Sequence, residues 1–252
     1  MITAGLDLGS RTIKLVLFDS GVRSSEVIDS GLKPLDRCRR LLGDKQYDKL
    51  VVTGYGRDLV APELSGATIS EISAQAAAVR FLYPDAASVI DIGGQDSKVI
   101  RLNEKGGVLK FEMNDRCAAG TGKFLEIMAR ALELTIDEFA RTSLEAKRSV
   151  TLNSLCTVFA ESEVVSLINK GEDAHAIALG LHQSVVTRVS GMARRVGVTG
   201  QVIFAGGGAK NACLVRLLED KLNLKITVPD DPQITAALGA AIIAANGKNQ
   251  GE

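Results

Sequence analysis

Apolar and polar residues are arranged along the chain in blocks that predict short strands and longer helices. Apolar runs at residues 2–8 and 13–18 predict two buried strands joined by a tight turn, and residues 88–92 and 98–102 predict a second such pair. Further strands are predicted at 49–53 and 201–205, and helices at 33–42, 70–82, 132–146, 162–169, 174–196 and 234–245. This mixture of strands and helices indicates an α/β fold.

The two strand pairs share one sequence pattern. Residues 7–14 read Asp-Leu-Gly-Ser-Arg-Thr-Ile-Lys, and residues 91–98 read Asp-Ile-Gly-Gly-Gln-Asp-Ser-Lys. In both segments an apolar strand leads to Asp, Gly follows two positions later, and Lys follows seven positions after the Asp. Because the unit occurs once in each half of the chain, it predicts two similar lobes that face each other.

Both turns have residues suited to a nucleotide. Gly9, and Gly93 with Gly94, allow consecutive backbone N–H groups to bind phosphate oxygens. Asp7 and Asp91, at strand ends, are candidates to hold the water shell of Mg²⁺. Side chains that can donate to phosphates or orient an attacking water follow them: Ser10, Thr12 and Gln95. Two ordinary hairpins in which Asp only forms the turn would have the same sequence pattern. This alternative stays open here.

A third turn follows the strand predicted at 201–205. Gly206, Gly207 and Gly208 lead into a helical run that extends to residue 222. Three glycines at this point let a flat ring or a phosphate lie against the backbone. A simple tight connection from strand to helix would have the same sequence. Together with the two hairpin turns, it completes the residues expected for a nucleotide cleft.

Residues 111–132 combine a cysteine-bearing turn with an amphipathic helix. The helical face is formed by Phe124, Met128, Ala131 and Leu132. With Asp115 as a candidate N-cap, Cys117 would lie near the positive end of this helix, where a thiolate is favoured. The segment is no P-loop, because such a loop requires Gly where Cys117 stands and Ser or Thr where Phe124 stands. A buried structural cysteine remains the alternative.

The chain has three other cysteines and two histidines. Cys156 lies 39 positions after Cys117 (156 − 117) and again precedes a helical run. Cys38 is predicted on a helix surface and Cys213 inside a helix, and both are interpreted as unreactive or buried thiols. His175 and His182 are interpreted as solvated or packed side chains, since no carboxylate motif surrounds them.

Composition narrows the class of protein. The 252 residues suffice for one large domain or two of ordinary size, and 30 basic residues balance 30 acidic ones. With this balance, the protein has no broad positive electrostatic field that would attract nucleic acid or an anionic membrane. No signal-peptide pattern or membrane-spanning run is present, so a soluble cytoplasmic protein is expected. Four cysteines in that compartment favour metal, redox chemistry or burial over disulfides.

Four longer motifs resemble one known family. They read Thr53-Gly-Tyr-Gly-Arg57, Val89-Ile-Asp-Ile-Gly-Gly-Gln-Asp96, Met113-Asn-Asp-Arg-Cys-Ala-Ala-Gly-Thr-Gly122 and Cys156-Thr-Val-Phe-Ala-Glu-Ser-Glu-Val164. Together they resemble the activator ATPases (component A) of 2-hydroxyacyl-CoA dehydratases and the ATPase subunits of benzoyl-CoA reductases, the BadF/BadG/BcrA/BcrD type. The wider pattern is similar to the acetate kinase, sugar kinase, heat-shock protein and actin superfamily. The resemblance covers nearly the whole chain.

The resemblance implies a fold, a set of cofactors and the residues that bind them. The fold would be α/β, with two ribonuclease-H-like lobes and a nucleotide cleft between them; residues 1–85 and 232–252 would form the first lobe and 86–231 the second. ATP or ADP and Mg²⁺ would bind there, with Asp7, Asp91 and Gln95 positioning Mg²⁺ and water. The implied nucleotide contacts are Gly9, Ser10, Arg11, Thr12, Lys14, Gly93, Gly94, Gln95, Asp96, Gly206, Gly207, Gly208, Ala209, Lys210 and Gln233. Arg11 and Lys210 depart from the residues usual in the family.

The resemblance also implies a function. A homodimer would hold one [4Fe–4S] cluster with Cys117 and Cys156 of each subunit, which agrees with the four thiolates that such a cluster takes. It would pass single low-potential electrons from ferredoxin or flavodoxin to a 2-hydroxyacyl-CoA dehydratase, coupled to ATP hydrolysis. A benzoyl-CoA reductase or a double-cubane cluster protein is the alternative acceptor. A sugar or carboxylate kinase and an actin-like structural ATPase are the alternatives of other classes.

Overall fold

The computed structural model describes residues 1–153 and 156–247, and within them two five-stranded mixed sheets carry the helices. The first sheet has the order β3-β2-β1-β4-β5, formed by β1 (Thr3–Leu8), β2 (Thr12–Phe18), β3 (Val22–Asp29), β4 (Lys49–Thr53) and β5 (Ala67–Thr68). The second has the order β10-β9-β6-β7-β8, formed by β6 (Ala86–Ile92), β7 (Ser97–Leu102), β8 (Val108–Asn114), β9 (Gln201–Ala205) and β10 (Ile226–Thr227).

Helices connect the strands in the order expected of an α/β fold. They are α1 (Pro34–Leu42), α2 (Arg57–Val60), α3 (Glu71–Leu82), α4 (Gly122–Ala131), α5 (Ile136–Glu145), α6 (Thr157–Asn169), α7 (Ala174–Val196), α8 (Ala212–Leu222) and α9 (Thr235–Ala245). Among the helices of the described ranges, none combines the length and apolar character of a membrane span. The α/β class predicted from the sequence is confirmed.

The chain divides into two compact units. Unit 1 comprises Met1–Val89, Ile100–Phe111 and the residues from Pro229 onward, and unit 2 comprises Ile90–Val99 and Glu112–Val228. The first sheet lies within unit 1. The lobe limits predicted from the sequence, residues 1–85 with 232–252 and residues 86–231, stay a prediction.

Unit 1 is built around α9, a helix of small and apolar residues that packs on β1, β2, β4 and α3. Two glycines allow this close approach: a Cβ at Gly5 would collide with Ala237 O, and one at Gly239 would collide with Ala74 O. Burial of nearly the whole helix explains why its sequence lacks a polar face. Within unit 1, this C-terminal helix thus packs on strands of the first sheet.

The core of unit 2 forms around α7, with α4, α5 and α8 against it. Phe124 and Met128 of α4 lie in this core, so the amphipathic face predicted for that helix is correct. The run predicted as helical at 132–146 contains a break, because α5 begins at Ile136 with Thr135 and Glu138 forming a capping box. Strands β3 and β8 escaped the sequence analysis because exposed positions dominate both.

Candidate functional site

The Asp7 turn joins β1 to β2 in unit 1. The antiparallel register places Asp7 opposite Lys14, and Lys14 Nζ lies 2.8 Å from Asp7 Oδ2. The backbone N–H of Gly9 donates to Thr12 O at 3.1 Å and closes the turn. Asp7 Oδ1 is buried and has no hydrogen-bond partner. The turn therefore presents one paired and one unpaired carboxylate oxygen.

Gly54 packs directly against this carboxylate. Its φ of +96° falls in the region that favours glycine, and a Cβ there would lie 2.5 Å from Asp7 Oδ1 and from Leu8 O. Two residues later, the N–H of Gly56 donates to Leu8 O at 3.0 Å. The Gly54–Gly56 turn is thus fixed onto the end of β1.

The Asp91 turn joins β6 to β7 and repeats this arrangement in unit 2. The N–H of Gly93 donates to Asp96 O at 2.9 Å. Lys98 Nζ lies 2.8 Å from Asp96 Oδ2 and 3.8 Å from Asp91 Oδ2, with its side chain only 2% exposed. A Cβ at Gly206, where φ is +79°, would collide with Asp91 Oδ1. Each Asp thus has a lysine on one side and a glycine in contact on the other.

The Gly206 turn is supported from beneath by buried polar side chains. After β9 the chain makes a 3₁₀ turn (Gly207–Lys210), and Asn211 caps α8 by accepting the N–H of Leu214 at 3.1 Å. The Asn211 amide nitrogen lies 2.9 Å from Nε2 of buried His182. His182 thus fixes the orientation of the residue that ends the turn.

His182 is neutral in this network. Its Nδ1 lies 2.9 Å from both Ala178 O and Ser143 Oγ, and the Ser143 hydroxyl donates to Phe139 O at 2.8 Å. We therefore assign the proton to Nδ1, which leaves Nε2 to accept from Asn211. Desolvation by burial lowers the pKa of His182 to about 4. The prediction of solvated or packed histidines agrees with both positions, since His182 is buried and the His175 side chain is 44% exposed.

The Cys117 loop lies between β8 and α4. Asn114 Nδ2 donates to Cys117 O at 2.9 Å and to Ala119 O at 3.1 Å, which fixes the course of the loop. The predicted N-cap, Asp115, is wrong: Thr121 occupies the N-cap position of α4, because a turn closed by the bond from Thr121 N–H to Ala118 O comes before the helix. Cys117 is half-buried and packs against the core of unit 2.

The first turn of α4 is bonded to the Asp91 turn. The N–H of Gly122 donates to Gly93 O at 2.9 Å, and the N–H of Lys123 donates to Gly94 O at 2.8 Å. A Cβ at Gly122 would lie 3.0 Å from Gly93 O, so glycine permits this approach. The loop that carries Cys117 and the predicted phosphate-binding turn are therefore parts of one hydrogen-bonded assembly.

Cys156 occupies the N-cap position of α6 and is exposed. Helix α6 packs against α4, so both helices that follow a predicted ligand cysteine are neighbours in unit 2. The other two thiols differ in kind. Burial raises the pKa of Cys38 and of Cys213 to about 11, and the surface position predicted for Cys38 is wrong because the apolar side of α1 buries it.

Comparison with known proteins identifies the family. The BadF/BadG/BcrA/BcrD ATPase family matches residues 4–244. The chain belongs to this family. It is 44% identical to the activator of lactoyl-CoA dehydratase of Anaerotignum propionicum over 97% of both chains. It is 42% identical to the 2-hydroxyisocaproyl-CoA dehydratase activator of Clostridioides difficile over 97% of this chain and 95% of that one.

Solved structures agree with this assignment and show the fold. The structure of the activator of 2-hydroxyisocaproyl-CoA dehydratase from Clostridium difficile, with bound ADPNP, matches with a TM-score of 0.88 at 41% identity, covering 98% of this chain and 95% of that one. A glucokinase of the ROK family from Streptomyces griseus shares the fold alone, with a TM-score of 0.62 at 11% identity over 98% of this chain and 100% of that one. This BadF/BadG/BcrA/BcrD ATPase thus has the two-lobed actin-like and sugar kinase fold.

The remaining predicted contacts of this BadF/BadG/BcrA/BcrD ATPase lie at the edges of the turns. Gln95 and Lys210 are exposed. Arg11 is exposed as well, and its guanidinium lies 3.9 Å from Asp29. The backbone N–H of Gln233, just before α9, donates to Asp231 at 3.3 Å. Ser10 and Thr12 are half-buried within the Asp7 turn. Their roles as nucleotide contacts stay predictions.

The features of the site that escaped the sequence analysis include the contact between Gly54 and Asp7, the contact between Gly206 and Asp91, and the pairing of His182 with Asn211. The first two contacts have a sequence signal, because a Gly-x-Gly motif follows a buried strand in each half of this chain. The third has none, since 29 positions separate His182 from Asn211 and only packing brings them together.

Proposed function

We propose that this protein is an ATP-dependent activator that passes single electrons of low potential to a partner of the 2-hydroxyacyl-CoA dehydratase type. Reduced ferredoxin or flavodoxin would be the donor, losing the one electron that the partner gains. Hydrolysis of ATP to ADP and phosphate would drive the transfer. Family membership and relatives named as activators of such dehydratases support this proposal.

The contact between the Asp91 turn and α4 is the observation that carries the proposal. Backbone N–H groups of Gly122 and Lys123 donate to the carbonyls of Gly93 and Gly94, and Cys117 lies five positions before Gly122. A phosphate bound by the Gly93–Gly94 turn would change the position of these carbonyls. Because α4 is bonded to them, its first turn and the Cys117 loop would move with them.

The nucleotide and Mg²⁺ would be held by the residues already described. Backbone N–H groups at Gly9, Gly93 and Gly94 would bind phosphate oxygens. Mg²⁺ would be held through water by Asp7 and Asp91, and carboxylate oxygens are the ligands that this ion prefers. The unpartnered, buried Oδ1 of Asp7 fits such a site, because an unpaired carboxylate oxygen is costly without a cation or a donor. Gln95, exposed in the Asp91 turn, would orient the attacking water.

The two ligand cysteines fit a shared [4Fe–4S] cluster. Cys156 is the N-cap residue of α6, where backbone N–H groups favour an anionic ligand, and Cys117 lies in the loop that leads into α4. Such a cluster takes four thiolates. Within residues 1–153 and 156–247, no group of three or more Cys, His, Asp or Glu is placed to hold a metal ion. Two copies of the chain would supply the four thiolates from Cys117 and Cys156. When bound, the cluster would supply one-electron chemistry.

Helix α6 offers a surface for the second copy. Directly after Cys156, Val158 is 69% exposed and Phe159 is 65% exposed, and Val165 is 50% exposed one heptad after Val158. Large apolar side chains grouped in this way around a functional cysteine favour a covered surface over a solvated one. A homodimer that pairs the cysteines would bury these side chains.

The coupling that this scheme requires is small. Coupling free energies between two sites are typically about 1–3 kcal/mol. Two backbone hydrogen bonds whose geometry depends on the bound phosphate are of that order, since a single such bond contributes about 1 kcal/mol. The Gly93–Gly94 turn can therefore transmit the difference between ATP and ADP to α4 without any rearrangement of the core.

Oxygen-free protein tests the proposal. Reduced protein should transfer one electron to a viologen dye about 10-fold faster with ATP than with ADP, a factor within the usual range of coupling. Gly122→Ala should keep its iron and its ATP hydrolysis but lose this acceleration. Gly191→Ala is the matched control, because its Cβ meets only the flexible Arg195 side chain in α7. A colourless protein that phosphorylates a sugar or a carboxylate would favour the kinase alternative.

A further inference from the structure

Two buried oxygen atoms without partners lie on neighbouring strands at the end of β1. Thr53, the last residue of β4, is fully buried, and its Oγ1 has no hydrogen-bond partner. Asp7 Oδ1 is in the same condition, since Lys14 contacts the other carboxylate oxygen. Among buried polar groups such atoms are exceptions that call for an explanation.

The register of the sheet brings these two residues together. Strands β1 and β4 are parallel, and Asp7 is the Cα partner of Thr53. Cross-strand partners point to the same face of a sheet, and neighbouring strands lie about 4.8 Å apart. A carboxylate oxygen can only accept a hydrogen bond, whereas a threonine hydroxyl can donate one. The two residues are therefore neighbours on one face of the sheet, and their unpartnered oxygen atoms are chemically complementary.

Gly54 limits which other groups can donate a hydrogen bond to Asp7 Oδ1. Its backbone packs so closely that a Cβ would lie 2.5 Å from this oxygen, so no side chain from position 54 can reach in. In unit 2 the residue before the equivalent glycine, Gly206, is Ala205, which has no hydroxyl. The hydroxyl beside the first Asp has no counterpart there, where Lys98 pairs with Asp96 as well as Asp91.

We propose that Thr53 is a positioning residue of the nucleotide site: its hydroxyl donates to Asp7 Oδ1 in the loaded protein and holds the carboxylate in the orientation that binds the Mg²⁺–nucleotide complex. The inference rests on the proposed role of Asp7 and adds to it a residue that does not itself touch the nucleotide.

Two substitutions at this position separate the hydroxyl from the packing. Thr53→Val keeps the shape and removes the hydroxyl. It should weaken binding of ADP in the presence of Mg²⁺ by about 10-fold, the lower end of what loss of a supporting hydrogen bond costs at metal sites. Binding of ADP in EDTA should not change, and the melting temperature should stay equal or rise. Thr53→Ser keeps the hydroxyl, so it should retain Mg²⁺-dependent binding while its lost methyl group lowers the melting temperature.

Ser190→Ala is the matched control, because Ser190 in α7 also carries a buried hydroxyl without a partner. It should leave Mg²⁺-dependent binding unchanged. Titration calorimetry with ADP, with Mg²⁺ and with EDTA, gives the readout without any electron transfer. The inference is overturned if Thr53→Val binds Mg²⁺–ADP as tightly as the unmodified protein, or if Thr53→Ser loses as much as Thr53→Val. An unmodified protein that shows no Mg²⁺-dependent binding would instead contradict the proposed nucleotide site.

Discussion

The Asp7 turn and the Asp91 turn have the same sequence pattern but different charge environments. In unit 1, the Lys14 side chain is 14% exposed and pairs with Asp7. In unit 2, Lys98 is almost completely buried and lies between Asp91 and Asp96. The two charge environments differ because of the residue five positions after Asp7 or Asp91, which is Thr12 in the first turn and Asp96 in the second. A repeated pattern can thus preserve a backbone while single side chains decide its electrostatics.

The comparison predicts that the two lysines differ in their contribution to stability. Lys98→Met would leave two carboxylates near each other without their buried cation. Removal of one partner of a buried ion pair typically costs about 3–5 kcal/mol. Lys14→Met removes a partner that is 14% exposed rather than 2%, and it leaves one carboxylate instead of two, so a smaller loss is expected. Urea unfolding of both variants measures the free energies of unfolding, and equal losses would contradict the difference drawn between the turns.

Acid should affect the Gly206 turn through His182. Its folded pKa, about 4, lies below the ordinary 6.5, so the neutral side chain stabilises the folded state fully above pH 6.5. This contribution is lost as the pH falls from 6.5 to 4. One pKa unit corresponds to about 1.4 kcal/mol, so about 3 kcal/mol is at stake.

His182→Gln tests this contribution, because its amide keeps polar atoms in the network but does not titrate. The difference in unfolding free energy between the unmodified protein and His182→Gln should shrink between pH 6.5 and pH 4. A difference that stays constant over this pH range would show that His182 is not buried in its neutral form.

The two glycines that contact the aspartates should be equally intolerant of a side chain. Gly54→Ala and Gly206→Ala each combine a positive φ with a collision against a carboxylate. The backbone strain alone costs about 1–2 kcal/mol. Gly171→Ala is the control, because φ is +78° there and no atom lies within 4 Å of the added Cβ. Gly54→Ala and Gly206→Ala should both lose more stability and more ADP affinity than this control. If all three variants lose the same amount, backbone strain alone explains the loss and the collision with the carboxylates contributes nothing.

The sequence predicts those strands and helices well that are buried on one face or on all sides. The hairpin strands, α7 and α9 follow from apolar runs and helical spacing. Strands β3 and β8 do not, because edge positions expose most of their residues and leave no alternation. The three arginines next to Cys38 in the sequence predict a surface position, yet its own position on α1 faces the core.

The site is predictable only to the level of its backbone. The Asp-x-Gly turns and the glycine-rich loops can be recognised directly in the sequence. Both cysteines also precede helices, as predicted. The bonds from Gly122 and Lys123 to the Asp91 turn could not be foreseen, because 29 residues separate Gly93 from Gly122 (122 − 93) and tertiary packing sets the contact. The same holds for the register that pairs Asp7 with Thr53.

Iron analysis of oxygen-free protein tests the central claim most directly. The account predicts about four iron and four sulfide atoms per dimer in the unmodified protein, the content of one [4Fe–4S] cluster. It predicts loss of both in Cys117→Ser and in Cys156→Ser, and full retention in Cys213→Ser, whose thiol is buried. A Cys117→Ser protein that keeps its full content of iron and sulfide would contradict the account.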